Sequence, residues 1–447
     1  MPTALHRCIA AATTTVAFAA AGAAPALAAP DPLLADQWAL SDARAIGAHE
    51  AWTQSRGDGV LVAIVDSGIQ LDHPDLAANL WTNSGEVPGN GKDDDGNGFV
   101  DDVNGANMFS DTGNVSDDEG HGTHVAGIVA ARAGNGIGGA GLAPNARVMA
   151  VKVLDSTRSG NSSLLARGIR YAVDQGARIL NVSINGDATS SDLTVALRYA
   201  SDKGATIVAS AGNNSRNLDQ TPSYPASSAE ASVLSVTASD EAGGLLGFAN
   251  RGLNSVDLAA PGESILSTAR GSGYENRSGT SMAAPYVAGA LALLSAARPD
   301  LPQSVLRGAL MGTAPKRSGL AGLLGGGGLD VGAAMHALLP GDKWRGTSAA
   351  APKTTAKSAK LRLRTGGRTR AGRRATLRWS ATGADSVTRW QVMLDGRRVA
   401  SRAAGTSRVV RRRIASAGSH RWKVLGYDTA GKRVVATARG FRVLRRG

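Results

Sequence analysis

Five short runs, each almost continuously apolar and rich in β-branched residues, recur between Gly59 and Ala238: Gly59–Val65, Val148–Leu154, Arg178–Ser183, Ala205–Ser210 and Ser232–Ala238. A strand that presents apolar side chains to both faces must be covered on both, which points to a parallel sheet between helix layers. Helix-period patterns lie between the runs at His124–Ala131, Leu164–Gln175 and Thr194–Lys203, with a longer one over Met282–Ala297. Strand and helix in alternation predict a doubly wound α/β domain over residues 52–340, with functional residues at the carboxyl ends of its strands. A domain of this length buries one large core.

Charge divides the chain in two. The formal net charge is +13, but residues 341–447 hold 28 Lys+Arg against 4 Asp+Glu, and residues 1–340 hold 21 against 32. An acidic body and a basic tail are separate objects. Residues 341–358 lack periodicity and read as a linker. Residues 359–447 alternate apolar and basic positions, as in Leu361-Arg-Leu-Arg and Arg421-Trp-Lys-Val-Leu, with a turn signal at Asp395-Gly396. These features predict a small C-terminal all-β, sandwich-like module. Its charge admits two readings: a surface for anionic polymers such as nucleic acid or cell-envelope chains, or the solvated face of a small sheet. The second is the simpler.

His6 and Arg7, an apolar run from Ile9 to Gly22, and Ala26-Leu27-Ala28 describe a secretory signal peptide over residues 1–28. An N-terminal segment, 29–51, would follow. The only cysteine, Cys8, leaves with the signal, so a secreted, disulfide-free and monomeric protein is expected. No later stretch reaches about 18 uninterrupted apolar residues, so no membrane span is predicted.

Three segments carry chemistry. In Val62-Ala63-Ile64-Val65-Asp66-Ser67-Gly68 an acid ends a buried strand. In Gly120-His121-Gly122-Thr123-His124 a histidine stands where a helix opens. In Ser278-Gly279-Thr280-Ser281-Met282-Ala283-Ala284-Pro285 a serine sits in a small-residue turn before a long helix. Serine hydrolysis needs a hydroxyl nucleophile, an imidazole to take its proton, and a carboxylate to orient the imidazole. Taken singly each segment is weak; in this order they are specific.

Over about 285 residues, from Trp52 to Leu338, the chain resembles the subtilisin-type serine proteases, whose order is Asp…His…Ser. The resemblance implies a hydrolase acting on protein or peptide substrates. It assigns Asp66 as orienting acid, His121 as base and Ser281 as nucleophile, with His124 non-catalytic. Ser210-Ala211-Gly212-Asn213 matches the family's oxyanion segment and makes Asn213 a donor. The substrate would lie as an added strand between Arg158-Ser159-Gly160 and Ser183-Ile184-Asn185-Gly186. The candidate binding residues are therefore Ser159, Gly160, Ser183, Asn185 and Gly212. Asn185 stands where relatives commonly have glycine. Ser223 takes the floor of the specificity pocket. The leaning is toward neutral or apolar side chains, with Asp219 keeping a basic preference open.

Calcium is the expected cofactor. Asp93-Asp94-Asp95-Gly96-Asn97-Gly98-Phe99-Val100-Asp101-Asp102 alternates oxygen donors with glycine turns, giving Asp93, Asp95, Asn97 and Asp101 as candidate ligands. Some secreted subtilases carry a similar calcium-binding insertion; the plainer alternative is a solvated acidic loop. The resemblance adds a second site from Asp75, Asn135 and the carbonyls of Ile137 and Gly139. About 20 residues separate the expected signal cleavage from Trp52, too few for the folding pro-domain of most secreted relatives. Two rival functions stand beside the protease: an inactive binding protein on the same fold, and a basic module that is itself the main binding element.

Overall fold

A computed structural model describes residues 31–42, 45–323, 327–339 and a set of strands between 360 and 444. The expected signal peptide, the linker and the Asp395-Gly396 turn lie outside the described residues. In chain order the elements of the first region are α1 (Trp38–Ser41), α2 (Ala48–Trp52), β1 (Leu61–Asp66), β2 (Gly105–Asn107), α3 (His121–Ala130), β3 (Arg147–Lys152), α4 (Ser162–Asp174), β4 (Ile179–Val182), α5 (Ser191–Asp202), β5 (Thr206–Ser210), β6 (Val233–Ser239), β7 (Leu258–Pro261), β8 (Ile265–Ala269), β9 (Gly273–Arg277), α6 (Thr280–Ala297), α7 (Gln303–Thr313) and α8 (Val331–Leu338). Seven strands form one parallel sheet in the order β2-β3-β1-β4-β5-β6-β7. The chain builds outward from β1 in both directions, which makes the carboxyl end of β1 the switch point where such sheets open a crevice.

The apolar runs are explained by what they touch. In β1, Val62 and Ile64 belong to the core beneath α3 and α6, while Ala63 and Val65 belong to the core beneath α4 and α5. Val148 and Ala150 of β3 share the first core, and Met149 and Val151 the second. Successive side chains thus point to opposite faces, and both faces are dry. α6 packs on α3 and on β4 to β7. It has 18 residues with a mean hydropathy of 1.4, long and apolar enough by length and composition to cross a membrane, yet 78% of it is buried inside the fold. It is a core helix.

Two helices begin earlier than their apolar pattern suggests, because polar residues cap them. Asn161 accepts from Ser163 N and Leu164 N at the start of α4, and Ser190 accepts from Leu193 N at the start of α5. In the C-terminal region, β10 (Lys360–Thr365), β12 (Arg374–Thr382) and β15 (Val409–Arg413) pair antiparallel. β11 (Thr369–Arg370), β13 (Arg389–Leu394), β14 (Arg397–Ala403), β16 (Gly418–Tyr427) and β17 (Arg433–Leu444) make a second sheet. Trp379 of the first meets Trp390 of the second edge to face at 6.4 Å.

Candidate active site

β1 delivers Asp66, fully buried, to the switch point. The neighbouring strand locks it there: Asp66 O accepts from Val153 N at 2.8 Å and Leu154 N at 3.2 Å. α3 opens at His121, whose Nδ1 lies 2.8 Å from Asp66 Oδ1 and 3.0 Å from Oδ2. An ionised carboxylate can only accept, so Nδ1 carries the hydrogen and Nε2 is left as the basic nitrogen. The loop after β1 and the start of α3 pack without side chains between them. A methyl group on Gly122 would sit 2.1 Å from Gly68 O.

One buried carboxylate ties this region together. Asp117 accepts from Ser67 Oγ (2.9 Å), Glu119 N (3.1 Å), Gly120 N (2.7 Å), Thr123 N (2.8 Å) and Thr123 Oγ1 (2.6 Å). Burial alone would raise its pKa, but the bonds from Thr123, Gly120 and Ser67 outweigh it and hold the carboxyl below its ordinary range. Ser67 Oγ in turn accepts from Gly122 N at 2.9 Å. Glu119 accepts from His121 N at 2.7 Å and pairs with Arg158 at 2.5 Å. Buried Lys152, level with Asp66 in the sheet, donates to Ser67 O at 2.6 Å and Asp118 at 2.7 Å. The sequence reading assigned no role to Asp117, Ser67, Glu119 or Lys152. The signal for Asp117 was its place four residues before the histidine, within reach of an opening helix.

Ser281 is the second residue of α6. Pro285, four residues on, has no N–H, so Ser281 O lacks its usual helical partner. Ser183 Oγ donates to it instead, at 3.0 Å, and Ser281 Oγ donates to Ser183 O at 3.1 Å. The nucleophile candidate therefore rests against the end of β4, and among the described residues no hydrogen bond joins it to His121. Asn213 Oδ1 accepts from Thr280 N at 2.9 Å and Thr280 Oγ1 at 3.0 Å. That clamp fixes the amide and leaves Nδ2 as its donor end beside Gly279. Thr280 also accepts from Gly212 N at 3.0 Å. His124 is buried and bonds Glu275 O at 3.0 Å; burial drives its pKa down to about 3, so it is neutral at ordinary pH.

Of the substrate-binding candidates, Ser159, Gly160 and Asn185 line one cavity of about 320 Å³, together with Leu154, Ile184 and Tyr224. Ser183 lies at Ser281, and Gly212, next to Asn213, is held to Thr280, the residue before Ser281. Asp219 is occupied elsewhere: it accepts from Asn254 N at 2.9 Å and Ser255 Oγ at 2.8 Å, holding that turn. Ser223 is buried beside the Tyr224–Pro225 bond.

The acidic loop is organised by its own carboxylates and adds two acidic residues to those expected. Asp93 accepts from Asn97 N and Gly98 N, and Asp101 from Asn90 N and Gly91 N, so both carboxylates brace the loop's turns. Asn97 donates to Asp102 at 3.0 Å. Of the four expected residues Asp95 falls in a carboxylate cluster with Glu86 and Asp102, one oxygen from each within 4.8 Å of the others. Glu86 Oε2 is buried with no hydrogen-bond partner, and burial raises the Asp102 pKa. At the second site Asn135 Nδ2 lies 2.6 Å from Asp75, and Tyr274 OH donates to Asp75 at 3.0 Å. Asp31, which the sequence reading did not name, braces the same loop, accepting from Gly134 N at 2.7 Å and Asn135 N at 3.1 Å. Burial raises the Asp75 pKa, and the charge of Asp31 adds to it. Both groups are oxygen-only and carboxylate-rich, a donor set that fits a hard divalent cation.

Residues 57–329 match the model of the subtilase family. Thermitase of Thermoactinomyces vulgaris is 42% identical over 274 residues, spanning 61% of this chain and 88% of its own. Subtilisin Savinase of Lederbergia lenta is 36% identical over 277 residues, 62% of this chain and 90% of its own. A protease structure from Pseudoalteromonas arctica superposes with a TM-score of 0.55 at 32% identity, covering 70% of this chain and 99% of that one. The chain belongs to the subtilase family and is a serine endopeptidase.

Proposed function

We propose that this enzyme cleaves proteins through an acyl-enzyme formed on Ser281, and that it is secreted. In this mechanism the Ser281 hydroxyl turns from Ser183 O toward His121 Nε2; catalytic hydrogen bonds are often loose in a ligand-free site. His121 takes the proton as Ser281 attacks the peptide carbonyl, and Asp66 stabilises the resulting imidazolium. The developing oxyanion faces Asn213 Nδ2 and the Ser281 amide, which lies in the first turn of α6 where N–H groups lack helical partners. His121 then protonates the leaving amine. In the second half-reaction it activates the water that releases the acyl group. The observation that carries this reading is the 2.8 Å His121–Asp66 bond, which makes Nε2 the base at the edge of the cleft.

Calcium, held by Asp31, Asp75 and Asn135 and by Glu86, Asp95 and Asp102, would supply structural charge compensation and no catalytic step. The protease domain is assigned to residues 52–340 and the basic module to 359–447, with the module's positive charge serving as a solvated face. Secretion rests on residues 1–28, and Edman sequencing of the protein recovered from culture medium should begin at Ala29. The catalytic assignment is tested with a fluorophosphonate probe. A single adduct on the peptide carrying Ser281, abolished in His121→Ala, is expected; labelling elsewhere, or none on folded protein, contradicts it.

A further inference from the structure

The wall of the cleft beside the proposed oxyanion donor is narrowed by one side chain. A methyl group built on Gly212 would lie 2.1 Å from Asn185 Nδ2 and 3.3 Å from Asn185 Cγ, so the Asn185 amide rests directly over the Gly212 α-carbon. These residues come from the ends of different strands, Asn185 following β4 and Gly212 following β5, which pair in parallel. Ser281 Oγ rests on Ser183 O, two residues before Asn185, and Asn213 directly follows Gly212, so a carbonyl held by Ser281 and Asn213 lies beside the gap between these strand ends. The scissile carbonyl carbon has to reach Ser281 Oγ, and its oxygen has to reach Asn213 Nδ2. The residue supplying that carbonyl therefore projects its side chain between the 183–185 segment and Gly212. Asn250 also approaches Gly212, at 2.6 Å from the built methyl group, but it is a fixed strut. Its Nδ2 donates to Ala211 O at 2.8 Å, and its Oδ1 accepts from Asn214 N and Arg216 N. Asn185, exposed at the mouth, is the wall that sets the width.

Resting on the protease reading above, we infer that Asn185 is a specificity-determining residue that closes the slot for the residue donating the scissile carbonyl, selecting small side chains there. Bulk has room in the cavity of about 320 Å³ on which Asn185 also borders, away from the bond that breaks. The enzyme cuts after alanine or glycine in preference to phenylalanine or leucine.

The test compares kcat/KM for succinyl-Ala-Ala-Pro-Ala and succinyl-Ala-Ala-Pro-Phe p-nitroanilides, using the full chain, its Asn185→Gly and Asn185→Gln variants, and Ser281→Ala as the blank. The native enzyme should favour the alanine substrate. Asn185→Gly should raise the Phe-to-Ala ratio by about tenfold or more, the discrimination that a few methylene-sized volumes provide in a pocket. Asn185→Gln, which keeps the obstruction, should hold the ratio near the native value. A native enzyme that prefers the phenylalanine substrate, or a ratio unmoved in Asn185→Gly while hydrolysis still depends on Ser281, overturns the inference alone. Absence of Ser281-dependent hydrolysis of both peptides overturns the protease reading and this inference with it.

Discussion

Two sets of buried carboxylates in one domain meet opposite fates. Asp117, at the mouth of α3, receives five hydrogen bonds from its own surroundings and is held below its ordinary pKa. Asp75 and Asp102 are also buried, but burial wins and their pKa values rise; beside Asp102, Glu86 Oε2 has no partner. The corner at the mouth of α3 has hydrogen bonds enough to outweigh burial, whereas the bonds that Tyr274 and Asn135 give Asp75, and Tyr171, Asn83 and Asn97 give Asp102, do not. The lesson is that the α3 corner is fixed by hydrogen bonds, while on the calcium proposal the surrounding loops need a cation to reach the same end.

The largest effect should come from emptying the α3 corner. Asp117→Ala strands donors on Gly120, Thr123 and Ser67, and should cost about 3–5 kcal/mol of stability, comparable with breaking a buried charged pair. Urea unfolding with excess calcium measures it. A loss restored by calcium would erase the contrast between the two regions. Next comes the cation itself: calcium at about 100 times its Kd should stabilise the fold by about 2.7 kcal/mol per site. Calorimetry in calcium and in chelator reads this, and equal Tm values in both would refute the cation-dependent half.

A smaller effect separates the two by sign. In chelator, Asp75→Asn should be more stable than the native chain by about 1 kcal/mol at neutral pH, because it removes a buried charge. The folded-state pKa of Asp75 is raised, so its penalty exists above that pKa and vanishes as pH falls toward the unfolded value of 3.8. The advantage of the variant should vanish with it. His124 behaves in the opposite way. Its pKa is depressed from 6.5 to about 3, so its contribution is complete above pH 6.5 and is lost as pH falls toward 3. His124→Gln should flatten the acid limb of stability across that window, and a limb of unchanged slope would contradict the buried, neutral assignment.

The parallel sheet was legible because fully buried strands write themselves as unbroken apolar runs. The places of Asp66 at the end of β1 and His121 at the start of α3 were legible because small residues flank each. The short strand β2 was not: Gly-Ala-Asn carries no period, and pairing with β3 alone makes it a strand. β7, β8 and β9 were also unread, since their pairing is tertiary. The acidic loop was only partly legible because alternation of Asp and Asn shows which residues can bind, while the folded backbone decides which carboxylates come together. Glu86, seven residues upstream of the motif, joins Asp95 and Asp102 only through the folded loop. Asp31 is likewise joined to Asp75 by tertiary approach alone.

The central claim is that Ser281 is the nucleophile of a protein-cleaving enzyme. Its most direct test is casein hydrolysis by the calcium-loaded full chain beside Ser281→Ala, with matched circular dichroism. Cleavage by the native chain and a fall of roughly 10⁶ in kcat in the variant, the scale reached when a subtilisin loses its nucleophile, is the predicted result. Equal hydrolysis by both, or none by either, would contradict it.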